Sequence, residues 1–250
     1  MNFLELFNHT GLFAAHRGAQ TVAPENTLVA VMQSMGKCDF VEIDVQLSSD
    51  GVGIIIHDDT LERTTNIKKL DIYKGRAPYR VSNFTFKELS TLDYGSWFDK
   101  KHQPVFTLVD LLKYIRESNI FVNIEIKDMN GHFSDKNVVS TILKEIEKLH
   151  VQHQVLISSF RHEYLPLCKQ LLPRIATAAL FEEELPSNII EYLKALNVDV
   201  CHLDYRHVHK SMVQKLKEAG FIVNVYTVND PMFAHELFSI GVNGVFTDFI

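Results

Sequence analysis

The sequence predicts a (β/α)8 barrel, because short apolar runs alternate with amphipathic helical segments along almost all of its 250 residues. This alternation is typical of a parallel sheet with right-handed crossovers, and eight such units in a chain of this length fit a closed TIM barrel. A doubly wound open sheet is the structural alternative. No GxGxxG motif follows the first strand, so a dinucleotide-binding fold has no support. We therefore predict one barrel domain over residues 1–250.

Eight apolar runs predict the strands of the barrel, since each is short and bounded by turn residues. These strands are expected at residues 12–15, 40–47, 121–126, 155–158, 175–180, 200–203, 221–226 and 244–247. Another apolar run, at 53–56, follows the tight turn Asp50-Gly51. We interpret it as a side hairpin on the second strand, because a ninth barrel strand would break the count.

Seven amphipathic segments between these runs predict helices, at residues 25–36, 107–118, 135–149, 162–172, 187–196, 211–219 and 231–239. The first has Pro24 ahead of it and Gly36 behind it, which are ordinary start and stop signals. Thr107 caps the second, with Asp110 at the capping-box spacing.

The segment 58–106 interrupts the alternation, because it is too long for a barrel loop and only weakly periodic. It contains Gly75, Pro78, Gly95 and the only tryptophan, Trp97. Long loops of this kind usually carry function. We predict an insertion after the second strand and its hairpin, with a short helix at 85–91.

Composition and charge exclude several classes of protein. Hydrophobic residues make up 46% and charged residues 22%, which allows a core without disulfides or structural metals. The net charge of −6 argues against nucleic-acid binding. Three widely spaced cysteines include no CxxC pair, which argues against a disulfide framework or a thiolate zinc site.

The sequence also bears on the surroundings of the protein. The N-terminus has no basic segment typical of a signal peptide, and no apolar run approaches the ~20 residues that span a bilayer. We expect a cytoplasmic protein without membrane insertion. The oligomeric state stays open, because the helical faces carry no uniform apolar stripe.

Polar side chains fall at the carboxyl ends of the predicted strands, where barrel enzymes place their active sites. They are His16 and Arg17 after the first strand, Glu42 and Asp44 in the second, His57 after the hairpin, and Glu125 and Lys127 in the third. Glu42 and Asp44 are two residues apart, as are Glu125 and Lys127, and this spacing puts both side chains of each pair on one face of the strand.

The acids Glu42, Asp44 and Glu125 predict a site for one divalent metal ion. Three clustered carboxylates repel one another unless a cation compensates them. Their oxygen ligands favour Mg²⁺ or Ca²⁺, with Mn²⁺ as a further option. The alternative is an edge strand whose acids pair with surface lysines. Val41 and Ile43 alternate with the acids, however, so both faces of this strand are expected to be buried.

The remaining polar residues fit phosphoryl transfer. His16 and His57 can supply one general base and one general acid. Arg17 can bind a phosphate bidentately, and Lys127 adds a point charge. No GxSxG motif or cofactor-binding loop is present, so acyl transfer and hydride transfer have no support.

At this point the sequence resembles the glycerophosphodiester phosphodiesterase family, from about residue 14 to residue 249. The resemblance rests on an ordered set of motifs: His16-Arg17-Gly18, Pro24-Glu25-Asn26-Thr27, Glu42-Ile43-Asp44, Asp50-Gly51, His57-Asp58, Leu61-x-Arg63-Thr64-Thr65, Glu125-Ile126-Lys127, Ser158-Ser159-Phe160, Thr227-Val228-Asn229 and Gly244 to Asp248.

The resemblance implies hydrolysis of a small-molecule glycerophosphodiester to sn-glycerol 3-phosphate and an alcohol. It implies metal ligation by Glu42, Asp44 and Glu125, acid/base catalysis by His16 and His57, and phosphate binding by Arg17 and Lys127. It also implies supporting roles for Glu25, Asn26, Trp97 and Tyr226. Glu25 and Asn26 would support Arg17 or the metal shell.

The two aromatic residues in that supporting set are candidates for contact with the substrate. The family often has tryptophan where this chain has Tyr226, and either ring could pack against a glycerol face. Trp97, with Phe98, lines the substrate mouth or packs into the core of the insertion.

Two rival functions remain open. A lysophospholipase D-type enzyme on the same scaffold would need an apolar mouth, and we expect Phe84, Phe86, Trp97 and Phe98 to fold inward instead. A non-catalytic barrel that binds phosphate head groups would not need two histidines. The released alcohol, the assignment of acid and base, and a cyclic phosphate intermediate are left undetermined.

Overall fold

The computed structural model describes residues 2–183 and 185–250, and it confirms the predicted (β/α)8 barrel. The strands in these residues are β1 Leu12–Ala15, β2 Phe40–Leu47, β3 Gly53–Ile55, β4 Val122–Ile126, β5 Val155–Ser159, β6 Ala176–Phe181, β7 Val200–Asp204, β8 Ile222–Tyr226 and β9 Gly244–Thr247. All but β3 pair in parallel, and β1 pairs with both β2 and β9, which closes the barrel. The assignment of the whole chain to one domain stays a prediction.

Helices cover the outside of the barrel. The α-helices of the described residues are α1 Leu28–Ser34, α2 Phe86–Leu89, α3 Ser96–Asp99, α4 Leu108–Ser118, α5 Asp135–Leu149, α6 Tyr164–Leu171, α7 Ile189–Leu196, α8 Lys210–Glu218 and α9 Pro231–Ser239. The helix α1 and the helices α4 to α9 connect successive barrel strands, whereas α2 and α3 lie in the insertion. No helix in the part of the chain that the structure describes combines the length and the apolar character needed to cross a membrane.

A short 3-10 helix that the sequence did not predict, Phe3–Asn8, precedes β1. The fully buried Phe3 packs edge-on against Phe40 and Phe121, with ring centroids 5.3 and 5.7 Å away. Phe3 belongs to the same apolar cluster as Leu156 and Val200, which line the inside of the barrel. This helix therefore packs its apolar side chains into the amino-terminal end of the barrel.

Alternation along the strands separates two apolar layers. Outward-facing residues such as Ile43 and Ile124 pack against helix residues such as Leu111 and Ile142. Burial of each of these side chains contributes about 1.5–3 kcal/mol. Inward-facing residues of the same strands are apolar near the amino end and polar near the carboxyl end. The polar side chains are therefore held by strands that are anchored on both sides.

The insertion has an apolar core of its own. The hairpin strand β3 pairs antiparallel with β2, as predicted, with Val45 opposite Ile55. Leu61 and Phe84 are fully buried in the cluster that covers β3. Trp97 and Phe98, by contrast, are 40% and 36% exposed, so the expectation that they fold inward is wrong. The Trp97 indole instead donates a hydrogen bond to the Tyr94 carbonyl, 2.9 Å away.

The first helix begins three residues later than predicted, at Leu28 rather than Glu25. Asn26 has a left-handed backbone with φ of 56°, which cannot continue a helix. Thr27 is the N-cap, and its hydroxyl accepts a hydrogen bond from the Ala30 amide at 3.3 Å. Glu25 and Asn26 therefore lie in a turn at the carboxyl end of the barrel.

Candidate active site

A cavity of about 400 Å³ opens at the carboxyl end of the barrel. Its lining combines carboxylates, imidazoles and cations with a few apolar side chains, which is a common makeup for a small-molecule site. The lining residues are His16, Arg17, Glu42, His57, Asn123, Glu125, Lys127, Phe160, Leu180, Glu182, His202, Tyr226, Thr227 and Phe246.

Three acids meet at one side of this cavity. Carboxylate oxygens of Glu42, Asp44 and Glu125 all lie within 4.8 Å of one another. The two-residue spacing on β2 turns Glu42 and Asp44 inward, and the register places Asp44 opposite Glu125 on β4. Glu42 is 3% exposed and Asp44 is 1% exposed. The predicted cluster is therefore assembled by strand pairing and kept out of water.

The electrostatics of the three acids differ. Burial, together with the neighbouring charges of Asp44 and Glu125, raises the pKa of Glu42 well above its usual value. Burial also raises the pKa of Asp44, but the charges of Lys127, His57 and Arg17 outweigh that effect and lower it to about 2. The pKa of Glu125 is raised by burial despite the attraction of Lys127. Simultaneous ionisation of all three acids is therefore disfavoured by their burial and mutual repulsion.

Lys127 is the main cation in contact with the cluster. Its ammonium donates a hydrogen bond to Glu125 Oε1 at 2.6 Å and lies 3.4 Å from Asp44 Oδ1. Although burial lowers the pKa of Lys127, the charges of Asp44 and Glu125 raise it above its usual value, so the ammonium stays protonated. Lys127 also lines the cavity, where the same charge can meet an anion.

A sharp turn after β1 brings Arg17 to the cluster. Gly18 has φ of 76°, and a Cβ at this position would lie 2.8 Å from the Ala30 carbonyl carbon, so only glycine fits. The Arg17 amide donates to Glu42 Oε2 at 2.8 Å. Its buried Nε has no hydrogen-bond partner among the described residues and lies 3.7 Å from Asp44 Oδ2. Arg17 therefore retains an unused donor next to the acids.

The turn before α1 holds the acids in place. Asn26 Nδ2 donates to Asp44 Oδ2 at 2.8 Å, and the Asp44 amide donates back to Asn26 Oδ1 at 3.1 Å. Glu25 accepts from Arg17 Nη1 at 2.9 Å and from Arg63 Nη1 at 2.6 Å. Both residues were predicted as supports, and they contact Asp44 and Arg17 through side chains that are almost fully buried.

His16 is paired with an acid from the opposite end of the chain. Its Nδ1 lies 2.7 Å from Asp248 Oδ1, and Asn229 Nδ2 donates to Asp248 Oδ2 at 2.7 Å. Gln20 also hydrogen-bonds Asp248. A carboxylate on Nδ1 fixes the ring orientation and favours the tautomer whose Nε2 is unprotonated. Within residues 2–183 and 185–250, nothing hydrogen-bonds Nε2 of this ring.

His57 has the same arrangement. Its Nδ1 lies 2.8 Å from Asp58 Oδ1, and Arg63 holds Asp58 from the other side, with Nε donating to Oδ2 at 2.7 Å. Arg63 also donates to Glu25, so one guanidinium connects His57 to the support of Arg17. The hydrogen bonds to Arg63 lower the pKa of Asp58 below its usual range. The carboxylate therefore stays charged beside the imidazole.

The two aromatic residues predicted to support the site, Tyr226 and Trp97, differ in whether they line the cavity. Tyr226 lines the cavity, its hydroxyl donates to the Phe181 carbonyl at 2.7 Å, and its ring meets Phe160 edge-on. Trp97 is not among the residues that line this cavity. Its predicted supporting role stays a prediction, without a contact to the acids or histidines in the described part of the chain.

Sequence reasoning missed several side chains of the site. Asp58, Arg63 and Asp248 lie in motifs that carried the family resemblance, yet no role was assigned to them. His202 and Asn123 were not assigned a role either. A signal was available for the last two, since each lies two residues before an acid at the end of its strand and so shares the inner face.

The acids fit a hard divalent cation. Ligand oxygens lie about 2.3–2.6 Å from Ca²⁺, so two oxygens on opposite sides of the ion are about 4.6–5.2 Å apart. Separations of up to 4.8 Å among the three carboxylates are compatible with that geometry. The raised pKa of Glu42 is also consistent with a cation site, because burial beside two acids disfavours the charged form of Glu42 unless a cation is bound.

Comparison with known proteins agrees with this geometry. The model of the glycerophosphoryl diester phosphodiesterase family matches residues 16–250. The chain is 31% identical to a glycerophosphodiester phosphodiesterase of Bacillus altitudinis, over 94% of this chain and 93% of that protein. It is 29% identical to an Oleispira antarctica phosphodiesterase solved in complex with the product sn-glycerol-3-phosphate, with a TM-score of 0.83 and coverage of 98% and 95%. A Silicibacter pomeroyi structure, 22% identical with a TM-score of 0.87 over 99% and 94% of the chains, shares the fold.

Proposed function

Since the chain belongs to the glycerophosphoryl diester phosphodiesterase family, and is therefore a phosphoric diester hydrolase, we propose that it cleaves glycerophosphodiesters with a divalent ion and two histidines. The products are sn-glycerol 3-phosphate and an alcohol. The Oleispira antarctica relative was solved with that phosphate as its product. The observation that carries the proposal is one cavity in which two histidine–aspartate pairs flank three clustered carboxylates.

Glu42, Asp44 and Glu125 hold the ion in this proposal. A divalent ion at these oxygens would polarise a phosphoryl oxygen and make a nearby hydroxyl a better nucleophile at neutral pH. Asn26 keeps Asp44 oriented through two hydrogen bonds, so the ligand set does not need to rearrange. The donor set consists of oxygen alone, which favours Mg²⁺ or Ca²⁺ over a softer metal.

His16 and His57 move the protons. Each uses Nδ1 for an aspartate, so Nε2 is the atom left for the substrate. One ring removes a proton from the attacking group, which is the glycerol hydroxyl next to the ester or a water, and the other donates a proton to the departing alcohol. When the glycerol hydroxyl attacks, a water must then open the resulting cyclic phosphate to give glycerol 3-phosphate. Asp58 and Asp248 stabilise the imidazolium that forms during each transfer, since both carboxylates have a lowered pKa and stay charged.

Arg17 and Lys127 bind the phosphate. Both line the cavity, and Arg17 Nε is a buried donor without a partner among the described residues. Their charges offset the negative charge that builds up on the phosphoryl oxygens during transfer. The net charge of the protein is −6, so attraction of an anionic substrate has to come from this local pair.

The test uses metal-stripped protein with glycerophosphocholine and glycerophosphoethanolamine, and adds back Mg²⁺, Ca²⁺ or Mn²⁺ in turn. We expect release of glycerol 3-phosphate only with a metal, and loss of at least a hundredfold in kcat for His16→Asn and for His57→Asn. His235→Asn is the matched control, because His235 is exposed on α9 and does not line the cavity. Full turnover by either cavity variant would refute that residue's role.

One observation favours a second candidate, an acylated glycerophosphodiester as substrate. Phe160 lines the cavity and is 39% exposed, and Phe249, next to Asp248, is 63% exposed. Exposed apolar side chains beside a site can accept an acyl chain. Faster turnover of lysophosphatidylcholine than of glycerophosphocholine would select this candidate, and the reverse order would exclude it.

A further inference from the structure

The inner end of the cavity is polar, although the barrel below it is apolar. Asn123 on β4 and His202 on β7 both line the cavity, and each is only 1% exposed. Phe246 lies beside them, with its ring centroid 4.8 Å from that of His202. Most barrel interiors carry branched apolar side chains at such positions. An amide and an imidazole here need hydrogen-bond partners.

The strands place Asn123 level with Glu42 and one step below Asp44 and Glu125. Asn123 lies two residues before Glu125 on the inner face of β4, and the register sets it opposite Glu42. His202 lies two residues before Asp204 on β7. Two residues of strand correspond to roughly 6.6 Å. A ligand that contacts Asp44 and Glu125 can therefore reach Asn123 with a short chain, and His202 lines the same cavity.

Part of the hydrogen-bonding capacity of the pair is unused. Asn123 Nδ2 donates to Ser158 Oγ at 3.0 Å, while Asn123 Oδ1 has no partner within residues 2–183 and 185–250. His202 Nε2 lies 3.3 Å from Asn224 Nδ2, and no side chain or backbone group in those same ranges hydrogen-bonds His202 Nδ1. Rotation of either amide by half a turn would exchange donor and acceptor but still leave one polar atom free.

The free atoms are complementary to one hydroxyl group. Burial lowers the pKa of His202 to about 3, so its ring is neutral near pH 7. When Asn224 donates to Nε2, Nδ1 carries the proton and is a donor. Asn123 Oδ1 is then an acceptor in the same cavity. A hydroxyl accepts one hydrogen bond and donates another, whereas a methyl group or a charged ammonium could satisfy only one atom or neither.

We propose that Asn123 and His202 form a subsite for the glycerol hydroxyl distant from the phosphodiester. This inference rests on the proposed function, which places the phosphate at Arg17, Lys127 and the acids. The glycerol half is common to all glycerophosphodiesters, so it can use the closed end of the cavity. The alcohol half varies and has to face the open mouth. The subsite thereby selects diesters of glycerol from diesters of simpler alcohols.

The experiment compares two substrates on the wild-type protein with its metal. One is glycerophosphocholine, and the other is the same compound with hydrogen in place of the distal hydroxyl. The hydroxyl next to the ester is kept, so the chemical step is unchanged. We expect kcat/KM to fall by roughly tenfold to a hundredfold for the second compound, because it leaves buried polar groups unpaired.

Variants of Asn123 and His202 test whether these two residues cause the difference in kcat/KM between the substrates. In His202→Phe and in Asn123→Leu the ratio of kcat/KM between the two substrates should fall towards one, because glycerophosphocholine loses its advantage. His162→Phe is the matched control, since His162 is partly buried but does not line the cavity, and its ratio should equal that of the wild type. Circular dichroism and Tm report whether each variant folds.

The outcomes separate this inference from the proposed function. Turnover of both substrates within about threefold of each other by the wild type overturns the subsite and leaves the hydrolase intact. An unchanged ratio in both cavity variants also overturns it. No turnover of either substrate with any metal refutes the proposed function instead. The substrate comparison needs no variant, so it stands even if His202→Phe fails to fold.

Discussion

Arg63 offers the sharpest test of how the site is positioned. This guanidinium does not line the cavity, yet it donates to Asp58 Oδ2 at 2.7 Å and to Glu25 Oε2 at 2.6 Å. Asp58 orients His57, and Glu25 holds Arg17. Replacement of Arg63 by alanine therefore leaves two carboxylates without a common partner. We treat Arg63 as a positioning residue that acts through His57.

The expected magnitudes follow from its exposure and contacts. Charge-assisted hydrogen bonds contribute about 1.5–3 kcal/mol when buried. Arg63 is 44% exposed, so solvent screening reduces the loss of unfolding free energy to about 1–2 kcal/mol in total. That loss corresponds to a fall in Tm of about 2–8 °C. Loss of an orienting partner usually lowers activity about 10- to 100-fold, and we expect most of this in kcat.

The assay is steady-state kinetics with glycerophosphocholine, combined with thermal unfolding. Arg80→Ala is the matched control, because Arg80 lies in the same insertion, is 40% exposed and forms an ion pair with Asp59, which contacts neither His57 nor Arg17 in the described part of the chain. Arg63→Lys keeps the charge but not the planar fork, so it should restore part of kcat. A kcat for Arg63→Ala equal to that of Arg80→Ala, or a change confined to KM, would refute the reasoning.

Three further predictions concern the acids, the buried histidine and the turn. Glu42→Gln should abolish metal binding measured by calorimetry, and at pH 8 it should raise the unfolding free energy of the metal-free protein. The reason is that the raised pKa of Glu42 favours its neutral form, and this stabilisation is lost as the pH rises. The pKa of His202 is lowered to about 3, so between pH 6.5 and 3 this imidazole binds a proton only in the unfolded chain. The unfolding free energy should therefore fall by up to about 1.4 kcal/mol for each unit by which the pH is lowered. His202→Phe should remove that part of the slope, as measured by urea unfolding at pH 7.5 and 5.5. Gly18→Ala should lower the unfolding free energy by about 1–3 kcal/mol and reduce kcat, because its Cβ would meet Ala30 at 2.8 Å.

Each of these has a clear contrary result. Metal binding by Glu42→Gln with wild-type affinity would remove Glu42 from the ligand set. An acid slope in His202→Phe equal to that of the wild type would show that other groups control stability there. Gly36→Ala is the control for Gly18, since Gly36 has φ of 72° but a Cβ added there would meet no atom within 4 Å. Equal losses in the two glycine variants would leave only backbone strain as the cause.

The sequence determined which faces of which strands are polar. Spacing by two put Glu42 with Asp44 and Glu125 with Lys127, and strand–helix alternation put all four at the carboxyl end. These inferences depend on local periodicity, which survives in a single sequence because every strand must bury its apolar face. The fold and the acid cluster could therefore be predicted from the amino-acid sequence alone.

The sequence was less informative where a residue's backbone departs from its neighbours. Residues 25–36 have a helical pattern, yet Asn26 has a left-handed backbone, Thr27 is the N-cap, and the helix begins only at Leu28. Only that turn allows Asn26 to reach Asp44. The surroundings of Trp97 were not predictable either, because a single aromatic residue outside a periodic pattern does not indicate which surface it contacts.

Tertiary structure alone decided which side chains from distant parts of the chain meet in the site. His16 and Asp248 are separated by 232 residues, and they meet because β1 pairs with β9 when the barrel closes. Arg63 reaches Asp58 and Glu25 because the insertion folds back over β2. Asn123 and His202 face one cavity because β4 and β7 curve round the same axis. Periodicity fixes the face of a strand, but only closure and register determine which side chains from distant strands come into contact.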